Sequence, residues 1–383
     1  MNKVFGILGL ILLFSCQKNK SEINEVSDQI SVSLDTILVD SGDEFLFLRD
    51  FLSNSSLDAS TNFLYNFNEI DFSLEKIDLD KLKLVDKIKF EKDGPNGLGT
   101  GRPKFTLAAN GNFLIWDYSV FKEFDQNGNL VRNLNLEEIA PDYLKGSENY
   151  PLYLFEDPKR PNRILVPVLN WENYSYFLLD IDLEKDSFDK IPLPEMEKFK
   201  DYRVVITNDG IEAGGFGGSV YRTFGDGKVL LNNNAFNEVH FFDFSNDSLL
   251  VIKWETQLLG AKRGYIPPKS VEGFNEEFTE IEKLTNQDIS YKKILWDNKN
   301  KRYLRFSEKK KIGEEKDKFG NYKQVGGEVF LSVFDRKFDL IAEARILGVD
   351  QLPNTYFIKN GEVWFYENIN DELAFVKMKI EID

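Results

Sequence analysis

The feature that most constrains this sequence is a repeated unit of two strand-like stretches joined by a polar turn. In each copy an aromatic-rich apolar stretch is followed by Asp, Asn or Lys residues and then by a second stretch of similar length. The copies begin at residues 74, 120, 176, 239, 329 and 373. The last copy is shortened. Because one such unit cannot bury its apolar face alone, the copies must pack on one another.

Other strand-like stretches lie between the copies. They cover residues 105–117, 163–171, 227–234, 292–308 and 355–368. Asn-Gly or Asp-Gly pairs, which suit tight hairpin turns, occur at 93–94, 96–97, 110–111, 127–128, 209–210, 226–227 and 360–361. A complete unit therefore consists of two hairpins, or four strands.

Four strands repeated about six times predict an all-β protein with a β-propeller fold. A large sandwich or two stacked β domains are the alternatives. Six blades are preferred, and seven remain open because the interval from residue 239 to residue 329 is long enough to contain another blade. That interval holds Pro267-Pro268, followed by Phe274, Phe278 and Ile281 at helical spacing. We therefore expect one insertion, at about 256–287, with a short amphipathic helix on one face of the propeller.

Both ends of the repeated region are strand-like. The region begins with ISVSLDTILV at 30–39 and ends inside the shortened copy, so the propeller domain is predicted to span 30–383. Pairing of the first strand with the last copy would close the ring and leave no exposed edge.

The N-terminus has the pattern of an export signal. A lysine at position 3 precedes an uncharged apolar run from Val4 to Phe14, which is too short to span a bilayer. Cys16, the only cysteine, follows directly after Ser15. This arrangement predicts a lipoprotein signal peptide at 1–15, lipidation of Cys16, and a polar tether at 16–29. The alternative is an ordinary signal peptide followed by a free thiol.

Three segments together resemble the six-bladed-propeller-like lipoproteins of the Bacteroidota. They are the Leu-Phe-Ser-Cys segment ending at Cys16, FEKDGPNGLGTGRPKF at 90–105 and LWDNKNKRYLRFSE at 295–308. The resemblance implies a propeller held in the cell envelope by an N-terminal lipid. It brings no catalytic residues with it.

Charge limits the partners of the chain. The 48 Lys and Arg residues against 64 Asp and Glu residues give a net charge of −16. Such a chain is a poor nucleic-acid binder and is repelled by anionic lipid headgroups, so a membrane anchor must come from the acyl chains. We expect a lipid-anchored envelope protein, preferably in the outer membrane, that faces the periplasm or the cell surface.

Three motifs that could indicate catalysis or ligand binding are better explained by structural roles. His240, the only histidine, lies among aromatic residues and is expected to be a hydrogen-bonded core residue. The glycine-rich stretch 214–219 lacks the Gly-Lys-Ser/Thr ending of a phosphate-binding loop. The DQNGN stretch at 125–129 resembles the start of a calcium loop but lacks its glutamate and falls at a hairpin turn. We therefore predict no metal site, no cofactor and no catalytic constellation.

One group of basic and aromatic residues is a candidate ligand site. Its members are Arg102, Lys104, Trp116, Arg222, Arg263, Tyr303 and Arg305. In a propeller the innermost strands line a central funnel, and arginines there would concentrate an anionic ligand. The alternative is that these cations pair with the abundant carboxylates between blades.

The leading functional hypothesis is a non-catalytic binding or scaffold module. Its partner would be an envelope protein or a small anionic or glycan ligand. The alternative is an enzyme that acts on an extracellular saccharide or polymer through two carboxylates in the funnel. A sensor subunit of an envelope signalling system is a third possibility.

Overall fold

The fold was analysed in a computed structural model that describes residues 30–99, 101–118 and 120–382. The predicted signal peptide, Cys16 and the tether lie outside these residues. In the described part of the chain, no helix is both long and apolar enough to cross a membrane.

Six sheets are built from consecutive antiparallel strands. Sheet 1 contains β2 (Ser55–Leu57), β3 (Phe63–Asn68), β4 (Ser73–Asp78) and β5 (Lys83–Lys89). Sheet 2 contains β6 (Lys104–Leu107), β7 (Phe113–Trp116), β8 (Phe121–Phe124) and β9 (Leu130–Asn133). Sheet 3 contains β10 (Asn149–Pro151), β11 (Phe155–Asp157), β12 (Arg160–Asn170), β13 (Ser175–Asp182) and β14 (Ser187–Pro192), with β10 and β11 both paired to β12.

The other three sheets follow the same plan. Sheet 4 contains β17 (Val220–Gly225), β18 (Lys228–Asn233), β19 (Glu238–Asp243) and β20 (Ser248–Lys253). Sheet 5 contains β22 (Ser290–Asp297), β23 (Arg302–Lys316), β24 (Tyr322–Phe334) and β25 (Leu340–Ile346). Sheet 6 contains β26 (Tyr356–Lys359), β27 (Glu362–Ile369), β28 (Glu372–Ile382) and β1 (Ile30–Leu38), in that spatial order.

A small seventh sheet and the helices lie outside this plan. The small sheet has β15 (Val204–Asn208) between β16 (Ile211–Phe216) and β21 (Ser270–Glu272). The helices are α1 (Leu136–Ile139), α2 (Pro141–Leu144), a 3₁₀ helix (Pro194–Tyr202) and α3 (Glu276–Gln287). The side chain of Asn275 caps α3 by accepting a hydrogen bond from the Phe278 N–H.

Six apolar clusters join the six sheets into a closed ring. Each cluster takes buried side chains from two consecutive sheets, and the last cluster returns to sheet 1. One residue pair from each cluster, in order around the ring, is Leu74 and Phe113, Trp116 and Val166, Leu178 and Phe242, Phe241 and Tyr303, Phe306 and Phe365, and Phe375 and Ile77. The predicted propeller fold is confirmed. Six blades stay the preferred prediction, and a ring of six sheets agrees with it.

The repeated sequence unit corresponds to the outer half of each sheet. The copies that begin at 74, 120, 176, 239 and 329 each cover the third and fourth strands of one sheet. The shortened copy at 373 supplies only β28. Its missing partner is β1, which pairs with β28 from Ile30 opposite Ile382 to Leu38 opposite Ala374. A strand from the start of the chain therefore completes the sheet at its end, as expected.

Three of the seven predicted turn pairs, at 209–210, 226–227 and 360–361, have positive φ at both residues, whereas those at 93–94 and 96–97 lie in the connection between sheets 1 and 2. Asp226 and Gly227 have φ of 52° and 73°, and Asn360 and Gly361 have φ of 54° and 83°. Two consecutive positive φ values define a type I′ turn, whose twist matches that of the flanking strands. These pairs join the first and second strands of sheets 4 and 6.

The insertion is larger than the sequence indicated. The predicted helix is present as α3. The insertion also includes residues 194–216, which form the 3₁₀ helix and two strands of the small sheet. The parallel pairing of β15 with β21 brings the two segments together. These strands look like blade strands in the sequence, so the first half of the insertion was missed.

The closing strand gives a direct test of the ring. A chain that begins at Val39 should have a free energy of unfolding lower by at least about 3 kcal/mol than a chain that begins at Ile30, because it loses the buried side chain of Ile30, the half-buried Val32 and Ile37, and a nine-residue ladder. It should also aggregate, since the edge of β28 becomes exposed. Urea unfolding and light scattering measure both effects. A synthetic peptide of residues 30–38 should restore stability, and equal stability of the two chains would contradict closure.

Candidate functional site

The candidate site lies on the ring axis and on one face of the ring. The innermost strands β2, β6, β17, β22 and β26 are the first strands of their sheets, and several contact one another near the axis. The face at which these strands begin is called the front face. Because neighbouring strands are antiparallel, the second strands end there, so Lys104 lies opposite Trp116 and Val220 lies opposite Asn233.

Three cations from three sheets line the region between the innermost strands, called the channel. They are Lys104 on β6, Arg222 on β17 and Lys293 on β22. Each side chain keeps some contact with solvent but is largely surrounded by protein. In the described residues, no carboxylate oxygen lies within 4 Å of their charged nitrogens.

Burial is the main cause of the lowered pKa values of these groups. It lowers the pKa of Arg222 and lowers the pKa of Lys293 to about 8. Burial also lowers the pKa of Lys104, and the positive charge of Arg222 lowers it further, while the more distant Asp50 and Asp117 oppose the shift. The two cations are thus near enough to repel each other, and the channel mouth carries positive charge with little compensation.

Tyrosines fill much of the remaining wall. Tyr150, Tyr153 and Tyr176 are near enough to Arg222 for charges on their hydroxyls to influence its pKa. The Lys293 Nζ lies 4.3 Å from the centroid of the Tyr356 ring. Burial raises the pKa of Tyr356 far above its usual value, and its hydroxyl has no hydrogen-bond partner among the described residues. Neutral phenols of this kind can donate hydrogen bonds to an anion.

A cavity of about 240 Å³ opens on the same face, beneath α3. Its wall mixes charges from Arg263, Glu282, Lys292, Glu308 and Lys310. Lys292 and Glu308 neutralise each other across 2.6 Å. Arg263 is held by backbone carbonyls of Gly217 and Thr285, although its Nε has no partner in the described part of the chain. The cavity is therefore nearly balanced in charge, unlike the channel.

The structure brings together only part of the predicted basic and aromatic group. Lys104 and Arg222 meet in the channel, and Arg263 lies apart in the cavity wall. Arg102 is exposed on the surface, where its Nε lies 3.1 Å from a carboxylate oxygen of Glu69. Whether any of these residues binds a ligand stays a prediction.

Trp116, Tyr303 and Arg305 are placed differently from the prediction. Trp116 is 1% exposed and donates from Nε1 to the Pro151 carbonyl over 3.0 Å. Tyr303 is fully buried and stacks on Phe338, with the ring centroids 4.4 Å apart. All three belong to second strands, which are packed on both faces by the neighbouring sheets. They lie in the core and do not line the funnel.

Arg305 is an unusual core residue. Its guanidinium carbon lies 5.0 Å from the ring centroids of both Trp254 and Tyr291, and its Nη2 donates to the Asn237 Oδ1 over 2.6 Å. Burial lowers its pKa to about 10. The aromatic faces and one amide thus hold this cation between sheets 4 and 5.

Lys293, Tyr150 and Tyr356 are channel or mouth residues that the sequence analysis missed. Tyr356 is the first residue of β26 and Tyr150 is the second residue of β10, the inner edge strand of sheet 3, and Lys104 is likewise the first residue of β6. Lys293 lies in the middle of β22. The position shared by Lys104, Tyr150 and Tyr356 was a usable signal, but it required knowing which strand of each sheet is innermost.

The three other sequence motifs have structural roles. His240 is buried and lies 3.2 Å from the Glu238 Oε1. Asp125 closes the DQNGN turn by accepting backbone hydrogen bonds from Asn127 and Asn129. At Gly217, where φ is 97°, a Cβ atom would lie 2.5 Å from the Tyr202 carbonyl, so this position requires glycine. Within the described ranges, no group of three or more His, Cys, Asp or Glu side chains is arranged to hold a metal.

The closed ring of sheets and the cationic channel define a β-propeller with a charged axis. The chain belongs to the family described as domain of unknown function DUF4221, which matches residues 27–345. The crystal structure of a family member from Bacteroides vulgatus is 14% identical, and the match covers 93% of this chain and 100% of that chain with a TM-score of 0.63. The resemblance drawn from the sequence is confirmed for the family and the fold.

Two other solved structures are similar at lower TM-scores. A protein described as exported, from Bacteroides fragilis, is 10% identical over 92% of this chain and 95% of that chain, with a TM-score of 0.49. The β-propeller domain of Cps50 (Swd1) from Myceliophteria thermophila is 7% identical over 89% and 99%, with a TM-score of 0.40. No curated protein sequence matches this chain.

Replacing Lys293 should stabilise the protein. A cation whose pKa is lowered by burial destabilises the folded state, so Lys293→Met should raise the midpoint of thermal unfolding at pH 7. Between about pH 8 and the usual lysine pKa, the unfolded chain binds more protons, so the wild-type protein becomes more stable as pH rises. The advantage of Lys293→Met should therefore shrink over that interval.

Calorimetry of both proteins at several pH values measures this difference. Lys337→Met, at an exposed position, is the matched control and should change little. An advantage that grows with pH would contradict the assignment of Lys293 as a desolvated cation.

Proposed function

We propose that this protein is an exported, lipid-anchored binding module whose propeller channel holds a small anionic ligand. The observation that carries the proposal is the set of three channel cations, Lys104, Arg222 and Lys293, without carboxylate partners among the described residues. Desolvating a cation without a partner is costly, and an anion that entered the channel would offset that cost.

Two buried cations away from the channel have carboxylate partners, whereas the buried Arg305 is held by an amide and aromatic rings. The buried Lys359 lies 2.9 Å from the Asp80 Oδ1, and Arg163 lies 2.6 Å from the Asp247 Oδ1. The chain has 16 more acidic than basic residues, so carboxylates are plentiful. Their absence near the channel cations in the described residues is what a site that exchanges an external anion requires.

The electrostatic field of the whole molecule also directs anions to the channel. A net charge of −16 repels anions from most of the surface, whereas the uncompensated cations attract them to the channel mouth. Neutral tyrosine hydroxyls near Arg222 and beside Lys293 add hydrogen-bond donors that could orient the ligand. The observations favour binding over catalysis, since the described residues of the channel bring together cations and phenols.

Anion binding can be tested with a panel of citrate, sulfate, phosphate and glucuronate by isothermal titration calorimetry. Arg222→Ala should weaken the best of these ligands by about tenfold or more, because a charge-assisted hydrogen bond contributes about 1.5–3 kcal/mol. Lys104→Ala should weaken the same ligand. The matched control is Arg345→Ala on the outer strand β25, which removes an exposed arginine paired with Glu328 over 2.6 Å and should leave affinity unchanged. Equal affinities for all four proteins would refute the channel site.

The anchor is tested independently. The position of Cys16 directly after an apolar run supports lipidation, and two or more acyl chains are enough for stable attachment. Cys16→Ala should therefore abolish labelling by a palmitate analogue. Ser15→Ala is the control, since it leaves the thiol in place and should keep the label. Labelling that survives Cys16→Ala would exclude lipidation at this residue.

A further inference from the structure

A row of aromatic rings crosses the front face beside the channel. Tyr118, Tyr150, Trp171 and Tyr174, called the aromatic ledge, follow one another across sheets 2 and 3. Successive ring centroids are 4.7, 6.3 and 6.0 Å apart, and the rings are tilted by 52°, 40° and 65°. Each aromatic is adjacent to the front-face end of a strand, so the rigid sheets fix the row in place.

The ledge is open to solvent at two points. The side chains of Tyr118 and Trp171 are each 41% exposed, although both are large apolar groups. Tyr150 lies between them and is partly buried. Exposed aromatic rings in a row are rarely explained by packing, because their burial would be favourable.

The middle of the ledge adjoins the channel. Lys104 lies opposite Trp116, whose Nε1 donates to the carbonyl of Pro151, the residue after Tyr150. The charges of Arg222 and Asp117 also act on the Tyr150 hydroxyl. Lys104 lies in turn near Arg222. A ligand chain lying on the ledge would therefore pass from aromatic faces to positive charge without leaving the front face.

The chemistry of the ledge selects among ligands. The exposed rings of Tyr118 and Trp171 offer faces to a ligand, whereas one face of Tyr174 is covered by the Arg203 guanidinium, 3.7 Å from the ring centroid. The negative face of an aromatic ring attracts weakly positive C–H groups. The apolar faces of pyranose rings have such groups, and their hydroxyls suit the amides of Asn149 and Asn170, which are hydrogen-bonded to each other over 2.9 Å at the same edge. A nucleic acid also stacks on aromatics, but the net charge of −16 disfavours it.

We propose that the aromatic ledge and the channel together bind an oligosaccharide that contains uronic acids. Sugar rings pack on Trp171 and Tyr118, and a terminal carboxylate reaches Arg222 and Lys104. This inference rests on the proposed anion site and extends it by naming the class of ligand. In this inference the ledge makes the protein bind oligosaccharides more tightly than single sugars.

The test compares single uronic acids with their oligomers. Tetramers of galacturonate, of mannuronate and of a glucuronate-containing glycan are titrated alongside the corresponding monomers and one methyl-esterified, uncharged tetramer. At least one acidic tetramer should bind about tenfold more tightly than its monomer, because the additional rings contact the ledge. The esterified tetramer should bind more weakly than the acid.

Two sets of variants separate the ledge from the channel. The double variant Tyr118→Ala/Trp171→Ala should bind the tetramer no more tightly than the monomer, and its affinity for the monomer should equal that of the wild-type protein. Trp171→Phe should retain most of that gain, since a flat ring remains. Arg222→Ala should weaken both ligands. Phe45→Ala, which removes another exposed aromatic side chain, is the matched control and should change neither.

The outcomes distinguish the two proposals. If no acidic tetramer binds better than its monomer, or if the double variant binds the tetramer as the wild-type protein does, the oligosaccharide inference is overturned. Binding of glucuronate, citrate, sulfate or phosphate that depends on Arg222 would still support the anion site. If no anion of either panel binds, both proposals fail.

Discussion

Burial of apolar faces between neighbouring sheets is the interaction on which the rest of this structure depends. Each sheet has two apolar faces, and each face shares a cluster with a different neighbour, so no sheet can complete its packing alone. Strand β1 supplies the outer strand that the shortened last copy lacks and adds Ile30 to the cluster between sheets 5 and 6. Aromatic side chains, which bury the most area per residue, form the majority of the clusters between sheets 1 and 2 and between sheets 4 and 5.

This packing also determines where charge can be placed. The middle strands are covered on both sides, so a cation there must be enclosed, as Arg305 is by Trp254, Tyr291 and Asn237. The innermost strands have one edge that faces the ring axis, and cations there keep contact with water. Charged side chains of similar type therefore have different surroundings according to their strand: Arg305 is enclosed by aromatic rings and one amide, whereas Arg222 keeps contact with solvent.

The sequence predicts the fold better than it predicts the site. Repeats and turn pairs indicate the propeller because strand pattern and turn chemistry are local properties. Placement of side chains depends on which strand is innermost and which face it presents, and these are properties of the assembled ring. Tyr303 and Arg305 illustrate the difference, since their segment was recognised as strand but their second-strand position was not. Residues 204–216 were not recognised as part of the insertion. Their strands look like blade strands in the sequence, but in the structure they belong to the small sheet.

The direction of β1 has a consequence for orientation. Leu38 lies at the front-face end of sheet 6, and Ile30 lies at the opposite end beside Ile382. The chain therefore joins the ring from the back. If Cys16 carries the proposed lipid, the thirteen residues that follow it reach the ring on the face opposite the channel mouth. The mouth and the ledge therefore lie on the side of the ring away from the point of attachment.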